Sequence, residues 1–173
     1  MKFFSGFSLQ NEDFLFIDFI DSSDYTVCGF SCGAIKAFEH VKGELACGKR
    51  VDKLQLFSPA FFQTKPVKFK KLQLMAYRKN RDGYLTQFIE SCFLPHAKKM
   101  VECSNSTLDE LDELLNYEWN LGELQTICDR GVKIEVYLGS EDKIIDAESA
   151  RKFFLQISAV TYIKNANHFL QIN

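Results

Sequence analysis

Hydrophobic positions along the chain follow two different spacings. Val132-Lys133-Ile134-Glu135-Val136-Tyr137-Leu138 alternates apolar and polar side chains around β-branched residues, the pattern of a half-buried strand. Residues 51–58 alternate in the same way, and Pro59-Ala60-Phe61-Phe62 closes the run. Shorter apolar runs at 2–4, 25–28 and 159–163 read as further strands. Helical spacing fills the intervals at 34–46, 121–130 and 146–155. Residues 11–20 place Phe14, Leu15, Ile17, Phe19 and Ile20 among acids, with Asn11 as N-cap, and predict one more helix before the turn Asp21-Ser22-Ser23-Asp24. Strands alternating with helices predict an α/β fold: about five parallel strands with helices on both faces.

Residues 64–120 differ in character. Only 72–76 suit a strand, and they suit a helix equally well. Residues 84–90 read as helix, and Asn105-Ser106-Thr107-Leu108-Asp109-Glu110-Leu111 begins an acidic helix with a good N-cap. The expected organisation is one domain over 1–173, a length that supports a single core, with a helical cap inserted at about 64–120.

Candidate chemistry sits between the second predicted strand and its helix. There the chain reads Gly29-Phe30-Ser31-Cys32-Gly33, a G-x-S-x-G elbow in the strand-turn-helix context it requires. Such a turn holds a serine hydroxyl at its tip, with helix N–H groups behind it. Gly139-Ser140-Glu141-Asp142 follows the 132–138 strand, and Asn167-His168 follows the last one, giving the order serine, acid, histidine of α/β hydrolases. Ser31 is the expected nucleophile, His168 the base and Asp142 the acid that orients it. Asp146 and Glu141 are alternative acids; His40 and His96 are alternative bases. The amide of Cys32, and that of Phe7 in the loop after the first strand, are the expected oxyanion donors. The path from first strand to serine is short, so the fold is expected to be a trimmed hydrolase.

Composition narrows the choices. Net charge is −2, which gives no general case for binding nucleic acid. No apolar run approaches a membrane span of roughly 20 residues. Six cysteines are present, none in C-x-x-C spacing, and Met1-Lys2-Phe3-Phe4 runs into Ser5-Gly6 with no long apolar region. Reduced thiols in a cytoplasmic protein are expected, with no metal and no diffusible cofactor. The first part of the cap is basic, through Lys65, Lys68, Lys70, Lys71, Arg78, Lys79 and Arg81. It reads either as a solvated face or as a docking patch for an acidic partner.

The opening Phe-Phe-Ser-Gly-Phe, the elbow Gly-Phe-Ser-Cys-Gly-Ala-Ile-Lys-Ala, the run Leu-Gln-Leu-Phe-Ser-Pro-Ala-Phe-Phe and the surroundings of Asp142 and His168 resemble the short BioV-type pimeloyl-acyl carrier protein methyl ester esterases. The resemblance covers most of the chain. It implies hydrolysis of the methyl ester of pimeloyl-acyl carrier protein during biotin synthesis. The 84–91 stretch is similar to the substrate-contacting cap helix of larger pimeloyl esterases, which implies substrate contacts from Tyr84, Gln87 and Phe88. Carrier proteins are acidic, so the resemblance also implies docking through Arg78, Lys79, Arg81, Lys98 and Lys99. The larger esterases have His-Gly-Trp-Gly where this chain has Ser5-Gly6-Phe7-Ser8. A general small-ester carboxylesterase or thioesterase fits the same three residues, and a non-catalytic binding protein would also explain a trimmed fold.

Overall fold

Alternation of side chains along the strands divides the core into two layers. The computed structural model describes residues 1–173. In chain order the elements are β1 (Lys2–Phe4), β2 (Leu9–Gln10), a 3-10 helix (Glu12–Phe16), β3 (Thr26–Phe30), α1 (Cys32–Ala46), β4 (Lys53–Phe57), α2 (Val67–Lys79), α3 (Arg81–Phe93), β5 (Glu102–Cys103), α4 (Leu108–Asn116), α5 (Leu121–Asp129), β6 (Lys133–Gly139), α6 (Ala147–Phe154) and β7 (Ala159–Ile163). Five strands form one parallel sheet in the order β1-β3-β4-β6-β7, while β2 pairs antiparallel with β5.

Val27, Leu54, Leu56, Ile134, Val136 and Leu138 point to one face of the sheet. They pack against Phe38 and Val41 of α1, Leu124 and Ile127 of α5, and Phe154 of α6. The intervening residues Cys28, Phe30 and Phe57 point to the other face, where Phe16, Phe169 and the α3 residues Ile89, Cys92 and Phe93 cover them. Phe16 stacks on Phe57 at 4.9 Å, and Phe30 on Phe169 at the same separation.

Two expectations change. Residues 11–20 do not form an α-helix, only the single 3-10 stretch Glu12–Phe16. Asn11 is in the left-handed region at φ 58° and its side chain caps nothing, so no α-helical turn is nucleated. The apolar residues here do not share one helical stripe: Phe16 is buried while Phe14 and Ile17 face solvent. The cap segment also contains a strand, β5, which pairs Cys103 with Leu9 and Glu102 with Gln10. Two-residue strands carry too little pattern to be read from sequence. Residues 72–76 are helical, within α2.

Each cap helix has a local cause. Asn80 accepts the Gly83 N–H and starts α3. Thr107 and Glu110 form a reciprocal capping box at the start of α4. Leu111, Leu114 and Leu115 of α4 then bury one face in the first core layer. No helix is long and apolar enough to cross a membrane.

Candidate active site

Ser31 sits between β3 and α1 with φ 53° and ψ −117°, a conformation that costs a non-glycine residue on the order of 1–3 kcal/mol. The surrounding chain enforces it. The Ser31 N–H donates to Phe57 O at 2.9 Å, and Ser31 O accepts from Ala34 N and Ala60 N, each at 3.1 Å. A Cβ at Gly29 would fall on the Gly33 carbonyl, and one at Gly33 on the Phe4 carbonyl. Both elbow glycines are therefore required by close approach.

Asp142 lies in the turn after β6. Its Oδ1 accepts the N–H groups of Ile144 at 2.7 Å and Ile145 at 3.1 Å. Its Oδ2 is 2.6 Å from His168 Nδ1, and both side chains are fully buried. A carboxylate only accepts, so Nδ1 carries the proton and donates to it. That leaves Nε2 as acceptor, 3.1 Å from Ser31 Oγ. The structure thus brings Ser31, His168 and Asp142 into one hydrogen-bonded chain.

The alternatives are occupied elsewhere. Asp146 caps α6 by accepting from Ser149 N; the Ser149 hydroxyl, with that N–H, holds its pKa below the ordinary value. Glu141 pairs with Lys143 in solvent. His40 packs on the Phe4 ring, where burial lowers its pKa. His96 Nε2 is 2.7 Å from Asn165 O. The Cys32 thiol is pushed up to about 12 by burial, which keeps it protonated and a poor nucleophile.

Two cavities are lined by sequence neighbours of the three residues, Cys32 in one and Ile144 in the other, but by none of the three themselves. One of about 390 Å³ is bordered by Phe7, Cys32, Lys36, Ser106 and Leu114. The other, of about 300 Å³, is bordered by Phe62, Tyr84, Gln87, Phe88, Leu114 and Ile144. The three cap residues expected to touch substrate therefore line one apolar chamber together. Phe7 and Phe88 meet edge-to-face at 5.8 Å, and Leu114 borders both cavities. Ser31 itself is only 2% exposed.

The basic cap residues divide. Arg81 donates to Tyr77 Oη at 3.0 Å and to Asn105 Oδ1 at 3.3 Å, so it braces the cap from within. Lys98 lies 3.9 Å from Glu90. Arg78 and Lys79 are exposed at the end of α2, and Lys99 is exposed beyond α3.

Sequence reading missed two residues beside the site. Asn167 is fully buried; its Nδ2 donates to Phe93 O at 2.8 Å and its Oδ1 accepts from Gln171 N at 3.0 Å. It ties the loop that carries His168 to the end of α3. Its position directly before the histidine was the available signal. Glu12 is the second, one of the acids within the helix expected over residues 11–20.

No family model and no curated protein matches the chain. Solved structures do. BioG from Haemophilus influenzae is 14% identical with a TM-score of 0.59, over 97% of this chain and 87% of that one. E-2-(acetamidomethylene)succinate hydrolase is 13% identical with a TM-score of 0.57, over 97% of this chain and 84% of that one. Naproxen esterase from Bacillus subtilis is 18% identical with a TM-score of 0.51, over 85% of this chain and 54% of that one. The chain thus spans about half the length of that esterase. At these identities the likeness is one of fold, and the fold is that of the α/β hydrolases.

Proposed function

We propose that this protein is a serine carboxylesterase. The observation that carries the reading is the buried chain from Asp142 through His168 to a serine on a strained elbow. In this reading Ser31 Oγ attacks an ester carbonyl while His168 Nε2 takes its proton. The resulting imidazolium is stabilised by Asp142, then gives the proton to the leaving alcohol. The amides of Cys32 and Phe7 hold the oxyanion; one such donor is worth roughly 3 kcal/mol in comparable enzymes. Water then releases the acid by the same steps.

The substrate we propose is the methyl ester of pimeloyl-acyl carrier protein, with biotin synthesis as its setting. Three observations support it. The sequence resembles the short BioV-type esterases along most of its length. BioG shares the fold over 97% of this chain. The outer face of α2 carries Lys68, Lys71, Arg78 and Lys79 beside exposed Val67, Leu72 and Met75, and the helix contains no acid. Such a face suits an acidic partner helix with apolar contacts of its own. The 300 Å³ chamber under Tyr84, Gln87 and Phe88 would take the acyl chain.

The test is mass spectrometry of carrier protein loaded with pimeloyl methyl ester, after incubation with the wild type and with Ser31→Ala. Loss of the methyl group alone, absent with Ser31→Ala, is the expected result. Loss of the whole acyl chain would make the protein a thioesterase. No change, with turnover of small soluble esters, would replace the carrier-linked substrate by a small ester.

A further inference from the structure

Glu12 is a fully buried carboxyl on the short segment between β2 and β3, far in sequence from Asp142 and His168. Buried carboxyls are rare unless their position has a use. Its Oε1 accepts the N–H of Gly6 at 2.6 Å, while Oε2 meets no donor. Gly6 immediately precedes Phe7, and no acceptor in the chain takes the Phe7 N–H. At Gly6 a Cβ would stand 2.8 Å from the Phe30 ring, so the backbone is pressed against β3 and has one path.

The rest of this loop is fixed from outside. Ser8 Oγ bonds to Ser106 Oγ, and Ser104 N donates to Ser8 O at 2.9 Å. Leu9 and Gln10 pair with β5. The downstream half of the Ser5–Ser8 loop is thus sewn to the cap, and Glu12, with the Cys32 thiol donating to Ser5 O at 3.9 Å, holds the upstream half. We infer that Glu12 is a positioning residue for the reaction, acting through Gly6 to aim the Phe7 amide at the oxyanion. This rests on the esterase reading above. Burial raises the Glu12 pKa above its ordinary value, against the Gly6 N–H bond, which lowers it.

The test compares Glu12→Leu, which keeps bulk but accepts nothing, with Glu12→Gln, whose Oε1 still accepts from Gly6. Turnover of p-nitrophenyl butyrate and inhibition by an alkyl trifluoromethyl ketone, which forms a tetrahedral adduct with the serine, are measured on folded protein. Glu12→Leu is expected to lower kcat about 10- to 100-fold with KM within about twofold, short of the ~10²–10³-fold effect of deleting a donor outright. Inhibitor affinity is expected to fall by a similar factor, and Glu12→Gln to stay within a few-fold of wild type on both readouts. If Glu12→Leu does not fold, Glu12→Asp takes its place, being too short to reach Gly6 and expected to show the same losses. Wild-type kcat in a folded Leu or Asp variant would overturn the assignment, as would a loss shared equally by Glu12→Gln. A wild-type protein that neither turns over esters nor binds the ketone would overturn the esterase reading and this inference together.

Discussion

At the residue scale the site is decided by which acid reaches which nitrogen. Asp142 is fixed by two backbone N–H groups on Oδ1, so Oδ2 is presented to His168 in one orientation. Asp142→Asn replaces an obligate acceptor with a group that can donate, and the imidazole loses the tautomer that accepts from Ser31. Steady-state kinetics should show kcat reduced by about 10⁴-fold with the fold intact, as for the same change in a serine protease. Asn167 acts differently, by holding the His168 loop to Phe93 and Gln171. Asn167→Ala should cost about 2–3 kcal/mol in urea unfolding, from two buried hydrogen bonds and the partners left bare. Its kcat should fall as well, because the histidine loses its tether. The elbow glycines and the serine were legible in the sequence, since local turn sterics dictate them, and Asp142 and His168 were legible from their places just after strands. Asn167 and Glu12 were not, because their partners are backbone groups distant in the fold that no spacing announces.

At the element scale, residues 11–20 depart furthest from their pattern, forming only a 3-10 stretch. Their composition suits an amphipathic helix, yet one aromatic side chain matters more than the stripe. Phe16 fills the gap between Phe3, Phe30, Phe57 and Phe169, and a 3-10 turn places it there. Phe16→Ala should cost about 3–5 kcal/mol by chemical denaturation, for lost transfer energy plus the cavity left behind. Exposed Phe14, by contrast, should tolerate Ala within about 0.5 kcal/mol. The strong periodic elements, β4, β6, α1 and α6, were readable because their burial patterns repeat over several residues. The β2–β5 pair was not, although it joins the chain just after the Ser5–Ser8 loop to residues 102–103.

At the scale of the whole molecule, charge is arranged around the polar end of the second sheet face. Gln55 is buried there and bonds Asp21 N, Phe19 O, Glu135 and the Tyr137 hydroxyl. Lys53 stands 2.6 Å from Asp21 and 3.5 Å from Glu135. Its hydrogen bond lowers the Asp21 pKa. Burial pulls Glu135 up, but Lys133, Gln55 and Tyr137 together bring it below its ordinary value. Carboxyls with depressed folded pKa values stabilise the protein above their unfolded values, and that stability is lost as pH falls through the folded ones. Glu12 has the opposite sign: its raised pKa favours folding at low pH, and that contribution fades as pH rises through it. Thermal unfolding should therefore show the midpoint falling between about pH 5 and pH 2, and Lys53→Met should lower the neutral plateau and flatten that fall. Asn167 ties the His168 loop to the end of α3, and β5 ties residues 102–103 to the Leu9–Gln10 strand, so the 64–120 segment is joined to both loops.

Everything proposed for the site depends on Ser31 being a nucleophile activated by His168. Intact-protein mass spectrometry after treatment with a fluorophosphonate tests it most directly. The expected result is a single adduct on Ser31, none on Ser31→Ala, and labelling of His168→Ala slowed by about 10³-fold or more, in keeping with the loss of a base from such a triad. A folded wild-type protein that takes up no adduct, or takes it up at any residue other than Ser31, would contradict it.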